Sequence, residues 1–119
     1  NATMTNVTMK GVCIYNSTEG PIEVTKITAD ISDMVNMSLV KEGGLELDAP
    51  IARSTKLIVY TTKLTITIIL DAYEFKMTLY GNNTVDQSYP EAPIINCYME
   101  GVYMQTENFS TPWFSLTAT

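Results

Sequence analysis

Apolar and polar residues alternate through residues 64–79, on both sides of the dipeptide Asp71-Ala72. This period-two pattern is typical of strands with one buried face. Closing a hairpin at the dipeptide predicts one register, because a slip of one residue would bury the polar set. That register pairs Leu70 with Tyr73, Ile68 with Phe75, Ile66 with Met77 and Leu64 with Leu79 on one face, and Thr65 with Thr78, Thr67 with Lys76 and Ile69 with Glu74 on the other. Ala72 suits such a turn less well than glycine, since a tight hairpin requires positive φ.

Similar short alternating segments recur along the rest of the chain, with turn residues every eight to twelve positions. About nine short strands and no helix are predicted, which indicates an all-β fold: a single antiparallel β-sandwich, immunoglobulin-like in the broad sense. A change of apolar phase predicts a β-bulge near Thr25 and Lys26. Pro50 predicts a sheet edge, because proline cannot donate to a ladder. Trp113, the only tryptophan, is expected to fill one end of the core.

The 119 residues suffice for one domain with a core of its own. Charged residues make up 17%, while threonine occupies 17 positions, a composition that favours strands. A net charge of −6 argues against nucleic acid or an anionic membrane surface as a partner. No apolar run approaches the length of a transmembrane helix.

The sequence context of the asparagines indicates the cellular compartment in which the protein resides. Six of the eight asparagines begin an Asn-X-Ser/Thr triplet, whereas the Ser and Thr content predicts about one or two by chance. The triplets begin at Asn1, Asn6, Asn16, Asn36, Asn82 and Asn108. We therefore expect a densely N-glycosylated protein, secreted or held at a cell surface. The alternative is accidental matches in a chain rich in threonine and asparagine.

Cys13 and Cys97 are the only cysteines, and a lone pair in a secreted chain predicts one disulfide. It would close a loop of more than eighty residues and contribute on the order of 4 kcal/mol. Two buried free thiols are the alternative.

Residues 1–10 form a predicted extended N-terminal arm, a possible donor strand, and residues 11–119 form the predicted β-sandwich domain. The alternative is an arm that pairs within its own domain or is disordered. Apolar side chains of the arm are the candidate contacts with another subunit: Ala2, Met4, Val7 and Met9.

Catalytic chemistry finds little support in the composition. The chain contains no histidine, which removes the commonest general base and zinc ligand. Asp30, Asp33 and Glu42 flank turns, but their spacing matches no calcium-binding loop. We therefore expect no enzyme activity, no catalytic residue, no metal site and no cofactor other than N-linked glycans.

Two segments of the chain resemble parts of a known family of proteins. Residues 11–27 (GVCIYNSTEGPIEVTKI) show a strand, a Tyr-Asn pair, a small polar turn, a proline and a second strand, and residues 46–60 (ELDAPIARSTKLIVY) lead into the hairpin. The pattern resembles the β-sandwich heads of archaeal secreted surface-filament proteins of the pilin and thread types, over about residues 11–80. Archaeal type IV pilins begin with a long apolar helix, and residues 1–10 do not. The resemblance implies a filament whose subunits join in another way.

Two functions follow as hypotheses. The first is a structural subunit of an extracellular filament or pilus, polymerised by donation of residues 1–10 to the sheet of the next subunit. The second is a glycosylated ectodomain that binds a protein or glycan ligand as a cell-surface or viral adhesion module.

Overall fold

The computed structural model describes residues 2–41, 45–110 and 115–118. Nine antiparallel strands occur in these ranges: β1 (Ala2–Ser17), β2 (Gly20–Lys41), β3 (Leu45–Thr61), β4 (Lys63–Leu70), β5 (Tyr73–Tyr80), β6 (Asp86–Glu100), β7 (Tyr103–Gln105), β8 (Asn108–Ser110) and β9 (Ser115–Ala118). The all-β prediction is confirmed for the described residues. Asn1 and Trp113 lie outside them.

All nine strands belong to one sheet in the order β5-β4-β6-β1-β2-β3-β7, with β8 and β9 also paired to β3. The predicted division into two packed sheets is not observed. Four strands are also longer than predicted, since β2 has 22 residues, β3 has 17, β1 has 16 and β6 has 15. The phase changes described below lie inside these long strands and do not end them.

The sheet curls back on itself. Strands β3 and β4 are separated by three other strands in the sheet, yet Thr62 alone joins them along the chain. Backbone hydrogen bonds secure this corner, because Thr62 N–H donates to Glu100 O at 3.1 Å and Gly81 N–H donates to Thr62 O at 2.9 Å. The ends of β3, β5 and β6 therefore meet at one place.

One apolar core fills the curl and draws buried residues from five strands. Its members are Met4, Val7 and Met9 of β1, Ile27 and Ala29 of β2, Leu57 and Val59 of β3, Leu64, Ile66 and Ile68 of β4, and Ala92 and Ile94 of β6. Burial of this apolar surface is the main driving force for folding.

The hairpin of β4 and β5 has the register predicted from the sequence, from Leu70↔Tyr73 through Leu64↔Leu79. Asp71 and Ala72 both have positive φ, of 50° and 67°. Two positive values define the type I′ geometry, whose twist matches that of the flanking strands. The periodicity thus overrides the poor turn propensity of alanine.

A bulge occurs next to Thr25 and Lys26, as predicted, but the extra residue belongs to the neighbouring strand β1 and not to β2. Lys10 pairs with Lys26 and Cys13 pairs with Val24, so Gly11 and Val12 together oppose Thr25. Val12 has a φ of 58°, as expected where a strand accommodates an additional residue.

A second irregularity, a change in which side chains face the core, occurs at the same level of three adjacent strands. Buried residues of a regular strand are two positions apart, whereas here they are three apart: Met4 and Val7 on β1, Ala29 and Ser32 on β2, and Ser54 and Leu57 on β3. Asn6 and Lys56 have positive φ within this row. Because the three strands change phase together, their registers stay aligned above and below it.

Pro50 lies inside β3, between the residues that pair with β9 (Leu45 to Asp48) and those that pair with β8 (Arg53 to Thr55). On the other side of β3, the ladder with β2 contains the pairs Val35↔Ile51 and Met37↔Ala49 and none at Pro50, which has no N–H to donate. The residues that connect β8 to β9 lie outside the described ranges, so the sheet edge at Pro50 stays a prediction.

Candidate functional site

Strand β1 occupies the middle of the sheet. Its first part, residues 2–10, pairs with β2 from Ala2↔Met34 to Lys10↔Lys26 and with β6 from Ala2↔Ile94 to Lys10↔Asp86. Both sides of the segment are hydrogen-bonded to strands of the same chain. The N-terminal segment is thus the strand that fills the groove between β2 and β6.

The candidate contact residues of this segment face the core. Met4, Val7 and Met9 are 6%, 4% and 2% exposed, and Ala2 is half-buried against the same cluster. In the described fold the segment pairs within its own domain and buries its apolar face there, which is the alternative to a donated arm, and β1 continues through residue 10. The division into an arm of residues 1–10 and a domain of residues 11–119 stays a prediction.

The bulge divides β1 into two parts that differ in their strand partners. Residues 2–10 pair on both sides, whereas residues 13–17 pair with β2 through the hairpin that closes at Ser17↔Gly20. Gly11 N–H donates to Val85 O at 2.8 Å, and a Cβ at Gly11 would lie 1.9 Å from Asn83 O. Glycine is required at this close approach, and the same residue marks the junction between the two parts.

The sequon asparagines within the described ranges, Asn6, Asn16, Asn36, Asn82 and Asn108, are all exposed. Two of their amides make hydrogen bonds: Asn6 Nδ2 donates to Asp30 Oδ2 at 2.8 Å, and Asn108 Nδ2 donates to Thr55 Oγ1 at 3.2 Å. A side-chain amide has two N–H groups, and a glycan replaces only one. Their surroundings are therefore compatible with sugar attachment.

The predicted disulfide is not present, because Cys13 and Cys97 are free thiols. Cys13 lies three residues beyond the Lys10↔Asp86 end of the ladder between β1 and β6, and Cys97 lies three residues beyond the Ala2↔Ile94 end. The ladder alone spans about 26 Å, whereas the two Cα atoms of a disulfide lie within about 7 Å. The register keeps the cysteines at opposite ends of the sheet.

Cys97 occupies the row of β6 that faces the core side, directly opposite Ile66. Desolvation of the thiol by its surroundings raises the pKa of Cys97 to about 11, although the residue as a whole is exposed. Its thiolate is the reactive form, so the folded chain suppresses the reactivity of this cysteine.

Three tyrosines from three strands form a tyrosine cluster: Tyr15, Tyr60 and Tyr103. Tyr15 stacks on Tyr103 with ring centroids 4.2 Å apart, and its centroid lies 5.1 Å from that of Tyr60. Lys26 Nζ lies 5.8 Å from the Tyr60 ring centroid, within the range of a cation–π contact. Sequence reasoning missed this cluster, since nothing in a linear pattern relates residues 15, 60 and 103.

Three acidic side chains in the described ranges form ion pairs at the surface. Asp33 lies 3.7 Å from Arg53, Lys56 lies 3.0 Å from Glu107, and Lys63 lies 3.5 Å from Glu100. No group of three potential metal ligands occurs among the described residues. Across the same ranges, the structure contains no helix that could cross a membrane.

Comparisons with known proteins identified no relative. No family model matches the chain, and neither a curated protein nor a solved structure matches it.

Proposed function

We propose that the chain is a non-enzymatic, heavily N-glycosylated structural subunit of an extracellular filament or pilus. Subunits join when residues 2–10 of one copy occupy the groove between β2 and β6 of the next. The described fold is then the self-complemented form, in which the segment fills the groove of its own chain.

The position of residues 2–10 carries the proposal. A segment near the start of the sequence is paired on both sides and buries Met4, Val7 and Met9 in the core. The same backbone and side-chain contacts form whether the segment comes from its own chain or from a neighbour, as in domain swapping. Exchange therefore needs no new binding surface.

The bulge at Gly11 and Val12 supports exchange at this boundary. Beyond it the hairpin of residues 13–17 with β2 remains intact, so only residues 2–10 have to leave. Glycine tolerates the change of backbone conformation that an opened junction demands. When each copy donates its segment to one neighbour and accepts a segment from another, the contact is head-to-tail, and it generates an open polymer where the successive rotations do not close into a ring.

The sequons support an extracellular role. Asn6 and Asn108 lie near the row of phase changes, Asn16 follows Tyr15 at the end of β1, and Asn82 follows β5. Sugars at these exposed positions would cover much of the outer surface and shield the protein outside the cell.

Negative-stain electron microscopy of the native glycosylated protein, with size-exclusion chromatography, tests the proposal. Thin filaments with a regular axial repeat are expected. A monodisperse particle of one subunit under every condition would overturn the filament function.

A complementation experiment tests the segment itself. A chain that lacks residues 1–10 is expected to bind a synthetic peptide of residues 1–10 and to gain thermal stability on binding. A matched peptide with Val7→Asp should not bind, because it would place a carboxylate in the apolar core. Equal binding of both peptides would exclude strand donation through this groove.

The tyrosine cluster favours the second candidate function, a binding or adhesion module. Aromatic faces with an adjacent cation suit the apolar faces of sugar rings or the side chains of a protein ligand. Glycan-array binding that is lost in Tyr103→Ala, by a protein that forms no filaments, would establish this function instead.

A further inference from the structure

The two edges of the sheet differ. Along β3, the three short strands β7, β8 and β9 cover the edge in separate pieces, an arrangement that protects a sheet from edge-to-edge pairing. At the other end β5 is an uninterrupted strand of eight residues whose one strand partner among the described residues is β4. The β5 edge therefore lacks the breaks that protect the β3 edge from pairing with another strand.

Apolar side chains on β5 are left uncovered. Tyr73 and Phe75 lie in the row of Ile68 and Leu70, which faces the core side of the sheet. They are nevertheless 69% and 48% exposed. The hairpin projects beyond the core here, so a strand added to the edge would cover apolar surface that the chain itself does not cover.

The direction of the peptide groups follows from the hairpin. In a two-residue hairpin the pair next to the turn, Leu70↔Tyr73, is hydrogen-bonded, and bonded and non-bonded pairs then alternate. Glu74, Lys76 and Thr78 therefore direct their N–H and C=O groups towards the open edge. Thr78 fits this assignment, because its Oγ1 lies 3.2 Å from Thr65 Oγ1, as expected of a closely spaced, non-bonded pair.

Tyr80 has the same orientation and shows how the edge is closed at its far end. Its N–H donates to Asn83 Oδ1 at 2.7 Å, and its C=O accepts from Asn83 N–H at 2.9 Å. The turn after β5 thus caps the outward groups of Tyr80. The capping stops there, which leaves Glu74, Lys76 and Thr78 available to a partner strand within the described part of the chain.

We infer that β5 pairs with β5 of a second copy, antiparallel and centred on Phe75. In this register Glu74 faces Lys76 of the second copy, and the two-fold axis repeats the pair. Both residues direct their peptide groups outward, so they form the hydrogen-bonded pairs, while Phe75 meets its own counterpart in a non-bonded pair. The contact is isologous and independent of strand donation, and it would join filaments side by side or subunits in pairs.

Charge selects this register over its neighbours. Shifting the centre to Glu74 places two carboxylates opposite each other, and shifting it to Lys76 places two ammonium groups opposite each other. Like charges directly across a ladder are destabilising. Only the register centred on Phe75 forms two opposite-charge pairs and also stacks the two phenyl rings.

Sedimentation velocity of the soluble full-length glycosylated chain, after filaments have been pelleted, tests the pairing. The wild type is expected to show a concentration-dependent monomer–dimer equilibrium. Lys76→Glu and Glu74→Lys should each weaken the dimer by tenfold or more, and the double exchange should restore it. A wild type that stays monomeric, or a double exchange that stays as weak as the single variants, would overturn the pairing.

Cross-linking tests the centre of the register. In a Cys13→Ala/Cys97→Ala background, Phe75→Cys should form a covalent dimer on oxidation. Tyr73→Cys is the matched control, because two such residues would lie about 13 Å apart along the ladder. Circular dichroism confirms that each variant is folded, and cross-linking at 73 rather than 75 would contradict the register. A head-to-tail polymer from strand donation is distinguishable, since Lys76→Glu leaves it unchanged.

Discussion

Ala72 is the residue at which local preference and tertiary structure disagree most clearly. Its φ of 67° belongs to the left-handed region, which costs a residue with a Cβ about 1 kcal/mol or more. The register of the flanking strands imposes this conformation, because the apolar rows of β4 and β5 must coincide.

Ala72→Gly is therefore expected to stabilise the chain by about 0.5–1 kcal/mol, after allowance for the greater entropy of glycine in the unfolded state. Urea unfolding provides the measurement. Asp71→Gly is the matched control and should gain less, since aspartate tolerates positive φ better than alanine. A larger gain at 71 than at 72 would argue against this explanation.

Removing a buried hydroxyl group should raise or lower stability, depending on whether that group has a hydrogen-bond partner. Ser32 Oγ and Ser54 Oγ are buried without a hydrogen-bond partner among the described residues, so Ser32→Ala and Ser54→Ala should each stabilise the fold by about 1 kcal/mol. Thr61 Oγ1, in contrast, lies 2.8 Å from Lys63 O and 2.7 Å from Glu100 O. Thr61→Val should destabilise the fold by about 1–2 kcal/mol, and thermal unfolding of the three variants tests both signs.

The raised pKa of Cys97 predicts that the stability of the fold depends on pH. Its pKa is raised from 9.0 to about 11, so the folded state holds the thiol proton more tightly than the unfolded state. The resulting stability is present below about pH 9 and is lost as the pH rises towards 11. At pH 8, in a Cys13→Ala background, alkylation of Cys97 should be about a hundredfold slower in the folded chain than in urea. Equal rates would contradict the predicted desolvation.

At the scale of elements, β5 meets β2 through Gly81. A Cβ at Gly81 would lie 2.1 Å from Glu23 O and 2.9 Å from Val24 Cα, so the strands can approach only at a glycine. This contact joins an edge hairpin to a central strand and helps to close the curl.

Gly81→Ala is expected to destabilise the chain by about 3 kcal/mol, because backbone atoms cannot move aside as a flexible side chain would. Gly20→Ala is the control: no atom lies within 4 Å of its Cβ, and only its φ of 112° opposes the change. Denaturant midpoints should rank Gly81→Ala as the more damaging variant. The reverse order would show that steric closure at the corner matters little.

At the scale of the molecule, surface glycosylation is the most direct prediction. Mass spectrometry of the protein from its native source should find glycans at the six sequon asparagines, Asn1, Asn6, Asn16, Asn36, Asn82 and Asn108. Each Asn→Gln variant should lose the mass of one glycan, whereas Asn83→Gln and Asn96→Gln should lose none, because neither residue begins a sequon. An unmodified chain would remove the main support for an extracellular location.

Local features of the chain could be predicted because their causes lie within a few residues. Alternation determined the hairpin register, down to Thr65↔Thr78 and Ile69↔Glu74, since one face had to be apolar. It also indicated the level of the bulge, although the extra residue belongs to β1 and not to the strand that contains Thr25.

Alternation assigned Tyr73 and Phe75 to the apolar row but did not show that this row extends beyond the core. Coverage of a row depends on where other strands end, which no local pattern records. The tyrosine cluster and the open β5 edge were missed for the same reason.

The sequence by itself determined the strand content, the hairpin and the faces of the strands. Only the tertiary structure decided that the strands form one curled sheet, that β1 lies between β2 and β6, and that Cys13 and Cys97 lie at opposite ends of it. The physical reason is that side-chain periodicity acts over two residues, whereas ladders are built from backbone groups that are the same in every strand. The choice between possible neighbours therefore depends on packing of the whole core.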